Sequence, residues 1–174
     1  MFRSFANIRR LPDVRRIALA VLMVAVSVAC SGDYGTGTAN GGVVTVSPPP
    51  ILINEVNPNG DLPAGGWVEL FNPTARAVDL TDWTITNCDV LRSFTFPAGV
   101  IIEPGGYVAV NEQTLPVALN ATDAVHVFNK FGVQSDSYSW TNNASGTSYG
   151  RCPDGIGPLV TTLAPTRKAV NACP

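Results

Sequence analysis

Residues 67–72 read WVELFN, and this stretch decides the fold. Side chains alternate between the two faces of an extended strand, so Trp67, Glu69 and Phe71 share one face and the two aliphatic residues between them share the other. Apolar side chains on both faces are typical of a strand that is covered on both sides. The stretch therefore predicts a strand inside a layered β-protein.

Glu69 is the polar exception in this strand. If the aromatic face is the inner one, the carboxylate of Glu69 points inward with it. A buried carboxylate is costly unless it is paired or hydrogen-bonded. We expect Arg151 to be its partner, and the alternative is that Glu69 lies at a sheet edge in water.

Short β-type runs alternate with turn formers such as Pro104-Gly105-Gly106 over the whole stretch 51–174. No run of eleven or more residues there shows the apolar period of a helix. Seven or eight short strands predict an antiparallel β-sandwich. The predicted strands are Ile51–Asn57, Trp67–Phe71, Trp83–Asn87, Ser93–Phe96, Gly106–Asn111, Ala124–Asn129, Val133–Trp140 and Thr147–Arg151.

An ordered set of short motifs within this domain is similar to the lamin-tail domain family. The resemblance implies an immunoglobulin-like β-sandwich with binding or structural roles, and it implies no reaction. One departure is Arg167-Lys168-Ala169, where many relatives turn on a glycine. The motifs are Ile53–Val56, Trp67–Asn72, Val78–Leu80 with Trp83–Ile85, Phe96-Pro97, Pro104–Val110, and the closing set Ser148–Arg151, Pro153–Gly155, Pro165-Thr166 and Asn171.

Residues 1–29 have the features of a signal peptide. Five arginines precede an apolar run from Ile17 to Ala29, whose thirteen residues fall short of the roughly 20 that span a bilayer as a helix. Cys30 follows Ala29 and resembles the acylated cysteine of bacterial lipoproteins, although Ser27 stands where that family usually has Leu. We expect a lipid on Cys30, which would anchor the exported chain to the outer face of a membrane; the alternative is a secreted soluble protein.

Residues 30–50 have the composition of a tether, since they are small, polar and Gly-rich and end in three prolines. Five of the 11 basic and one of the 13 acidic residues precede Cys30, so the exported part carries 6 basic and 12 acidic residues. A nucleic-acid partner is not expected from such an acidic chain. The expected partners are the membrane, through the lipid, and an envelope protein or polysaccharide of unknown identity.

The cysteines suggest one disulfide. If Cys30 is acylated, Cys88, Cys152 and Cys173 remain, so at most one bridge forms within the chain and one thiol is left over. We favour Cys152–Cys173, and Cys88–Cys152 is its rival. If Cys30 is not acylated, the four cysteines permit three pairings.

The sequence carries no enzyme signature. His126 is the only histidine, and no Gly-x-Ser-x-Gly accompanies it, as a catalytic triad of the nucleophile-turn type would require. Because it lies in the middle of a strand pattern, we expect it to be a half-exposed strand residue. No cofactor or metal is expected: a zinc site would need more histidines or a Cys-x-x-Cys, and Asp154-Gly155-Ile156-Gly157 is only a weak calcium pattern that turn chemistry explains equally well.

Trp140 is the candidate for stacking against a sugar, because it stands beside a polar loop. The leading hypothesis is nevertheless a non-catalytic cell-envelope lipoprotein that presents its β-sandwich for protein interaction or scaffolding. The alternatives are a carbohydrate-binding module at the cell wall and an accessory domain of an extracellular enzyme system.

Overall fold

The computed structural model describes residues 51–58, 65–88, 92–115, 119–142 and 146–174. The predicted signal peptide (1–29) and tether (30–50) therefore lie outside the described residues. Within the described part the alternating runs form eleven strands: β1 Leu52–Asn57, β2 Trp67–Phe71, β3 Val78–Asp79, β4 Thr84–Thr86, β5 Ser93–Thr95, β6 Ile101–Ile102, β7 Tyr107–Asn111, β8 Asp123–Phe128, β9 Gln134–Trp140, β10 Tyr149–Arg151 and β11 Leu159–Thr161.

The strands form two main antiparallel sheets. One has five strands in the order β11-β10-β1-β2-β7, and the other has four in the order β5-β4-β8-β9. Strands β3 and β6 make a small third ladder. The predicted all-β, immunoglobulin-like sandwich is confirmed, and the described residues contain no helix.

The core lies between the two main sheets and is almost entirely aliphatic. Val68 and Leu70 of β2 enter this core, together with Ile85 of β4 and Val125 and Val127 of β8, and each is at most 1% exposed. Burying one such side chain contributes about 1.5–3 kcal/mol. The inner face of β2 is therefore its aliphatic face, and the aromatic face with Glu69 points away from the second sheet.

The outer face of the five-stranded sheet is also covered, by the segments on either side of β11, residues 152–158 and 162–174, which we call the C-terminal cover. A disulfide between Cys152 and Cys173, with a Cα–Cα distance of 5.6 Å, ties its two ends together. This is the pairing favoured from the sequence. Because the cover is tied back onto the sheet, both faces of the central strands are shielded from water.

Cys88 also takes part in a disulfide, and the described residues contain no free cysteine. The expectation of a left-over thiol is therefore wrong for the described part of the chain. The expected lipid site, Cys30, lies outside that part.

A register shift in β1 sets the positions of the polar residues on the covered face. The β1–β2 pairing is regular from Glu55 to Asn57 but shifts between Ile53 and Glu55, as a β-bulge does. Across the sheet, Glu55 stands opposite Glu69 on β2 and opposite Gly150 on β10. Two carboxylates are thus neighbours on the two central strands.

Candidate functional site

Glu55 and Glu69 form the most unusual polar group of the domain. They lie opposite each other on β1 and β2, and both side chains are 0% exposed. Strong perturbation of ionisable groups marks many functional sites. The hydrogen bonds around these carboxylates decide whether they are available for chemistry.

Glu69 is held by neutral donors. Asn54 donates its side-chain amide to Oε1 at 3.2 Å, and the backbone N–H of Lys168, in the C-terminal cover, donates to Oε2. Burial raises the pKa of Glu69 to about 7, against the lowering effect of the Lys168 and Asn54 hydrogen bonds. The negative charges of Glu55 and Asp154 raise it further.

Arg151 is not the partner of Glu69, so that prediction is wrong. The neighbouring Gly150 faces the cover, and alternation along β10 turns Arg151 to the opposite face. Its guanidinium instead forms a 2.7 Å ion pair with Asp136 of β9, and its Nε donates to the carbonyl of Ile53 at 2.8 Å. Arg151 therefore links the two main sheets.

Glu55 is bound in a similar way to its neighbour. The hydroxyl of Ser148 donates to Oε1, and so does the backbone N–H of Thr166 at 2.9 Å, whereas Oε2 has no hydrogen-bond partner among the described residues. Burial raises the pKa of Glu55, and the Ser148 hydroxyl is the strongest opposing influence. Each carboxylate thus takes a backbone donor from the cover.

Asn171 fastens the cover to the sheet. Its side-chain amide donates to the carbonyls of Asn54 (3.1 Å) and Arg151 (3.0 Å), and its own N–H donates to Asp154 at 2.9 Å. The approach is so close that a Cβ on Gly150 would lie 2.7 Å from Asn171. At Gly150 the cover and the sheet are therefore in direct contact.

The weak calcium pattern at Asp154 is explained by these contacts. Asp154 Oδ1 accepts the Asn171 N–H, and Oδ2 accepts the hydroxyl of Tyr107 at 2.6 Å. In the ranges that the structure describes, no group of three or more His, Cys, Asp or Glu residues is placed to hold a metal ion. The polar cluster acts as an internal clamp between sheet and cover.

Trp140, the candidate for sugar stacking, is buried, so it offers no exposed ring for a sugar. Only 3% of its surface is exposed, its Nε1 donates to the carbonyl of Asn120 at 2.8 Å, and its ring packs near those of Tyr138 and Tyr149. The indole closes the core at the end of β9 instead of facing the polar loop. A sugar ring has no access to it.

His126 is also more buried than expected, at 4% exposed. It lies on β8, which has β4 on one side and β9 on the other, and the ring of Phe128 stacks nearby at 6.3 Å. Burial lowers the pKa of His126, while a hydrogen bond with Gln134 opposes this effect. His126 is thus a buried residue on the face of β8 opposite to Val125 and Val127, which enter the core.

One surface feature was missed from the sequence. The turn between β8 and β9 carries Phe131, which is 79% exposed, and Val133, which is 58% exposed. The signal available was an aromatic residue inside the turn Lys130-Phe131-Gly132, where turn chemistry calls for no aromatic residue. Among the described residues there is no helix long and apolar enough to cross a bilayer.

Comparison with known proteins gives the family. The model described as Lamin Tail Domain matches residues 45–145, more than half of the chain, and this match includes β1 to β9. A comparison with curated proteins found no match. Strands β10 and β11 and the C-terminal cover follow the matched residues. The chain belongs to the lamin tail domain family.

Proposed function

We propose that this protein is an exported, non-catalytic module of the cell envelope that presents its immunoglobulin-like domain to a protein partner. The proposal rests on what the unusual polar side chains of the domain contact. Each of these side chains makes a hydrogen bond or ion pair inside the fold; they are Glu55, Glu69, Asp154 and Arg151. A protein partner is then recognised by the outer surface of the domain.

The family supports the same conclusion, because immunoglobulin-like lamin tail domains are non-catalytic interaction modules. The carbohydrate-binding alternative loses its main support with the burial of Trp140. An envelope protein is therefore the partner that we propose.

The location is supported by two features. The apolar run before Cys30 is typical of an export signal, and disulfides persist in oxidising compartments outside the cytoplasm. Mass spectrometry of the mature protein after differential alkylation tests the location, and a retained segment 1–29 would overturn the proposed export. Because Cys88 takes part in a disulfide and Cys152 pairs with Cys173, only Cys30 is left to pair with Cys88 within the chain. We therefore expect a Cys30–Cys88 disulfide in a secreted chain, and a diacylglyceryl group on Cys30 would show the lipid-anchored form instead.

Cross-linking in intact cells followed by affinity purification tests the partner. We expect the same envelope protein to be recovered with the wild-type chain and, after solubilisation, with the unlipidated Cys30→Ser variant, because the domain makes the contact. Recovery that depends on Cys30 would show co-purification through the membrane only. Absence of any partner, or specific binding on a glycan array, would overturn the protein-binding proposal.

A further inference from the structure

The outer face of the four-stranded sheet carries a narrow buried strip along its two central strands. Val125 and Val127 of β8 enter the core, so Ala124 and His126 of the same strand point away from it. Thr86 of β4 stands opposite His126 and shares this outer face. Ala124 is nevertheless 1% exposed, and Thr86 and His126 are each 4% exposed. We call these three residues the buried strip.

The shielding ends at the edge strands. Ser137 of β9 stands beside His126, and Ser93 of β5 stands beside Thr86. Both serines are exposed. Because neighbouring strands are about 5 Å apart, one extended chain laid along β4 and β8 is wide enough to shield the strip and to leave its flanks in water.

Cys88 lies at one end of the strip. It follows β4, and Asn87 beside it donates its side-chain amide to the carboxylate of Asp123, the first residue of β8, at 3.3 Å. Cys88 takes part in a disulfide. The chain has four cysteines, and the other disulfide uses Cys152–Cys173. Cys30 is therefore the partner that remains for Cys88 within the chain.

The chain enters the domain at the other end of the strip. The hydroxyl of Ser135 donates to the carbonyl of Ile51 at 2.7 Å. Gln134, which precedes Ser135, pairs with Phe128, the last residue of β8. Cys88 and Ile51 thus lie at opposite ends of the four-stranded sheet. Since β8 has six residues, these ends are about 20 Å apart along the strand.

We propose that residues 31–50, which we call the strap, run between these two ends along the outer face of β4 and β8 and are tied there by a Cys30–Cys88 disulfide. This inference rests on the proposed export, because disulfides persist in oxidising compartments. The strap has 20 residues, which reach about 66 Å when fully extended. The segment expected to be a tether is then held at both ends.

The composition of the strap suits this surface. Asp33 is its only charged residue, and five glycines allow the backbone to approach the sheet closely. Val43–Val46 forms a short β-type run that supplies apolar side chains. The family match begins at residue 45, six positions before Ile51, so the last part of the strap is already matched by the family model.

The strap gives the two main sheets equivalent protection. The C-terminal cover shields the outer face of the five-stranded sheet, and the strap shields the centre of the four-stranded one. Each covering segment is closed by a disulfide of its own. A protein partner is then expected to contact the edges and turns of the sandwich, because both outer faces are occupied.

His126 reports on the strap, because it is the only histidine of the chain and belongs to the buried strip. Diethyl pyrocarbonate modifies an imidazole that it can reach, and mass spectrometry of the peptide that contains His126 measures the rate. We would compare the oxidised wild type with Cys30→Ser/Cys88→Ser. The matched control is Cys152→Ser/Cys173→Ser, which also loses one disulfide but keeps the strap tied.

We expect His126 to react slowly in the wild type and in the control. In Cys30→Ser/Cys88→Ser the rate should rise by about tenfold or more, because removing a disulfide typically shifts the opening of the segment that it holds by at least that factor. An unchanged rate in this variant, or an equal increase in the control, overturns the proposal.

A second measurement keeps both disulfides and does not depend on how the double variants fold. Benzoylphenylalanine, which cross-links to nearby C–H bonds on illumination, replaces Ser137 beside the strip or, as the control, Thr161 of β11; both positions are exposed. We expect cross-links within one chain from position 137 to residues 31–50, and none from position 161. Cross-links from position 137 only to other segments or to a second copy overturn the proposal.

Failure of the proposed export is distinguished from failure of the strap. If segment 1–29 is retained, the purified full chain is oxidised in a glutathione buffer and both measurements are repeated; the strap is expected there too, and its absence overturns the proposal. A diacylglyceryl group on Cys30 together with a reduced Cys88 overturns the strap and leaves the proposed export intact.

Discussion

The two faces of the five-stranded sheet are equally buried but are covered in different ways. On the inner face, Val68 and Leu70 meet the aliphatic side chains of the second sheet. On the outer face, Glu55 and Glu69 meet backbone N–H groups of the C-terminal cover. All four side chains are 0% exposed, so burial alone does not reveal which forces hold a face closed.

The difference has a mechanical consequence. Hydrophobic contacts are non-directional and adjust to small shifts, whereas hydrogen bonds weaken steeply when their geometry is lost. The inner face should therefore determine the global free energy of unfolding. The outer face should open locally, with the cover detaching as a unit while the sandwich stays folded.

Leu70→Ala tests the inner face and should have the largest effect. Deleting a fully buried leucine side chain lowers the free energy of unfolding by about 2–5 kcal/mol, through lost burial and the cavity left behind. Urea denaturation monitored by circular dichroism measures it. The control Leu163→Ala, at an exposed position, should change the value by no more than about 0.5 kcal/mol, and equal effects would break the comparison.

The double variant Cys152→Ser/Cys173→Ser tests the tie that closes the cover. Removing a disulfide whose cysteines are 21 positions apart should lower the free energy of unfolding by about 3 kcal/mol. Relative to the wild type, the exchange rates of the Lys168 and Asn171 amides should increase more than that of the Val125 amide in the core. An equal increase in exchange rate at all three amides would mean that the cover and the sandwich open together.

Glu69 gives the outer face a pH dependence. Burial raises its pKa from the ordinary 4.5 to about 7, so the folded state holds this proton more tightly than the unfolded chain does. Its contribution to stability is complete below about pH 4.5 and is lost as the pH rises through 7, which lowers the free energy of unfolding by about 3 kcal/mol at 1.36 kcal/mol per pKa unit.

Glu69→Gln should flatten this decline, because the variant cannot ionise. Denaturation midpoints measured between pH 4.5 and 8 provide the comparison. Glu103→Gln, at an exposed position, serves as the control and should keep the wild-type slope. If Glu69→Gln keeps that slope as well, the buried carboxylate is not its source.

Asn171→Ala should have the smallest effect of the four. It removes the donor to two carbonyls, of which that of Asn54 is buried and that of Arg151 only partly buried, and one unsatisfied buried acceptor lowers the free energy of unfolding by about 1–3 kcal/mol. Limited proteolysis should cut the cover sooner than in the wild type. The control Asn142→Ala, at an exposed position, should be cut at the wild-type rate, and equal rates in both variants would remove Asn171 as the fastening residue.

The architecture could be predicted from the sequence because alternation and turn residues are strong local signals. Each of the eight predicted strands has a counterpart within two residues at either end. Strands β3 and β6 have only two residues, so no period can be read from them, and β11 was missed although it is as long as β4, β5 and β10. Their positions are set by pairing partners that are distant in sequence.

The polar site was less predictable. The burial of Glu69 could be suspected from its place between Trp67 and Phe71, but its donors are the side chain of Asn54 and the backbone of Lys168. A backbone N–H has no residue signature, and so the sequence pointed to Arg151 instead. The burial of Trp140 and His126 was missed for a related reason, since a strand pattern does not tell what covers each face of the strand.

The residue type at position 150 can be used to compare members of the family. Since even a methyl group there would collide with Thr162 and Asn171, a homologue with alanine or a larger residue at the equivalent position cannot seat the same C-terminal segment. Its two central acids would then face solvent or be replaced. One column of an alignment should thus separate sealed members of the family from open ones.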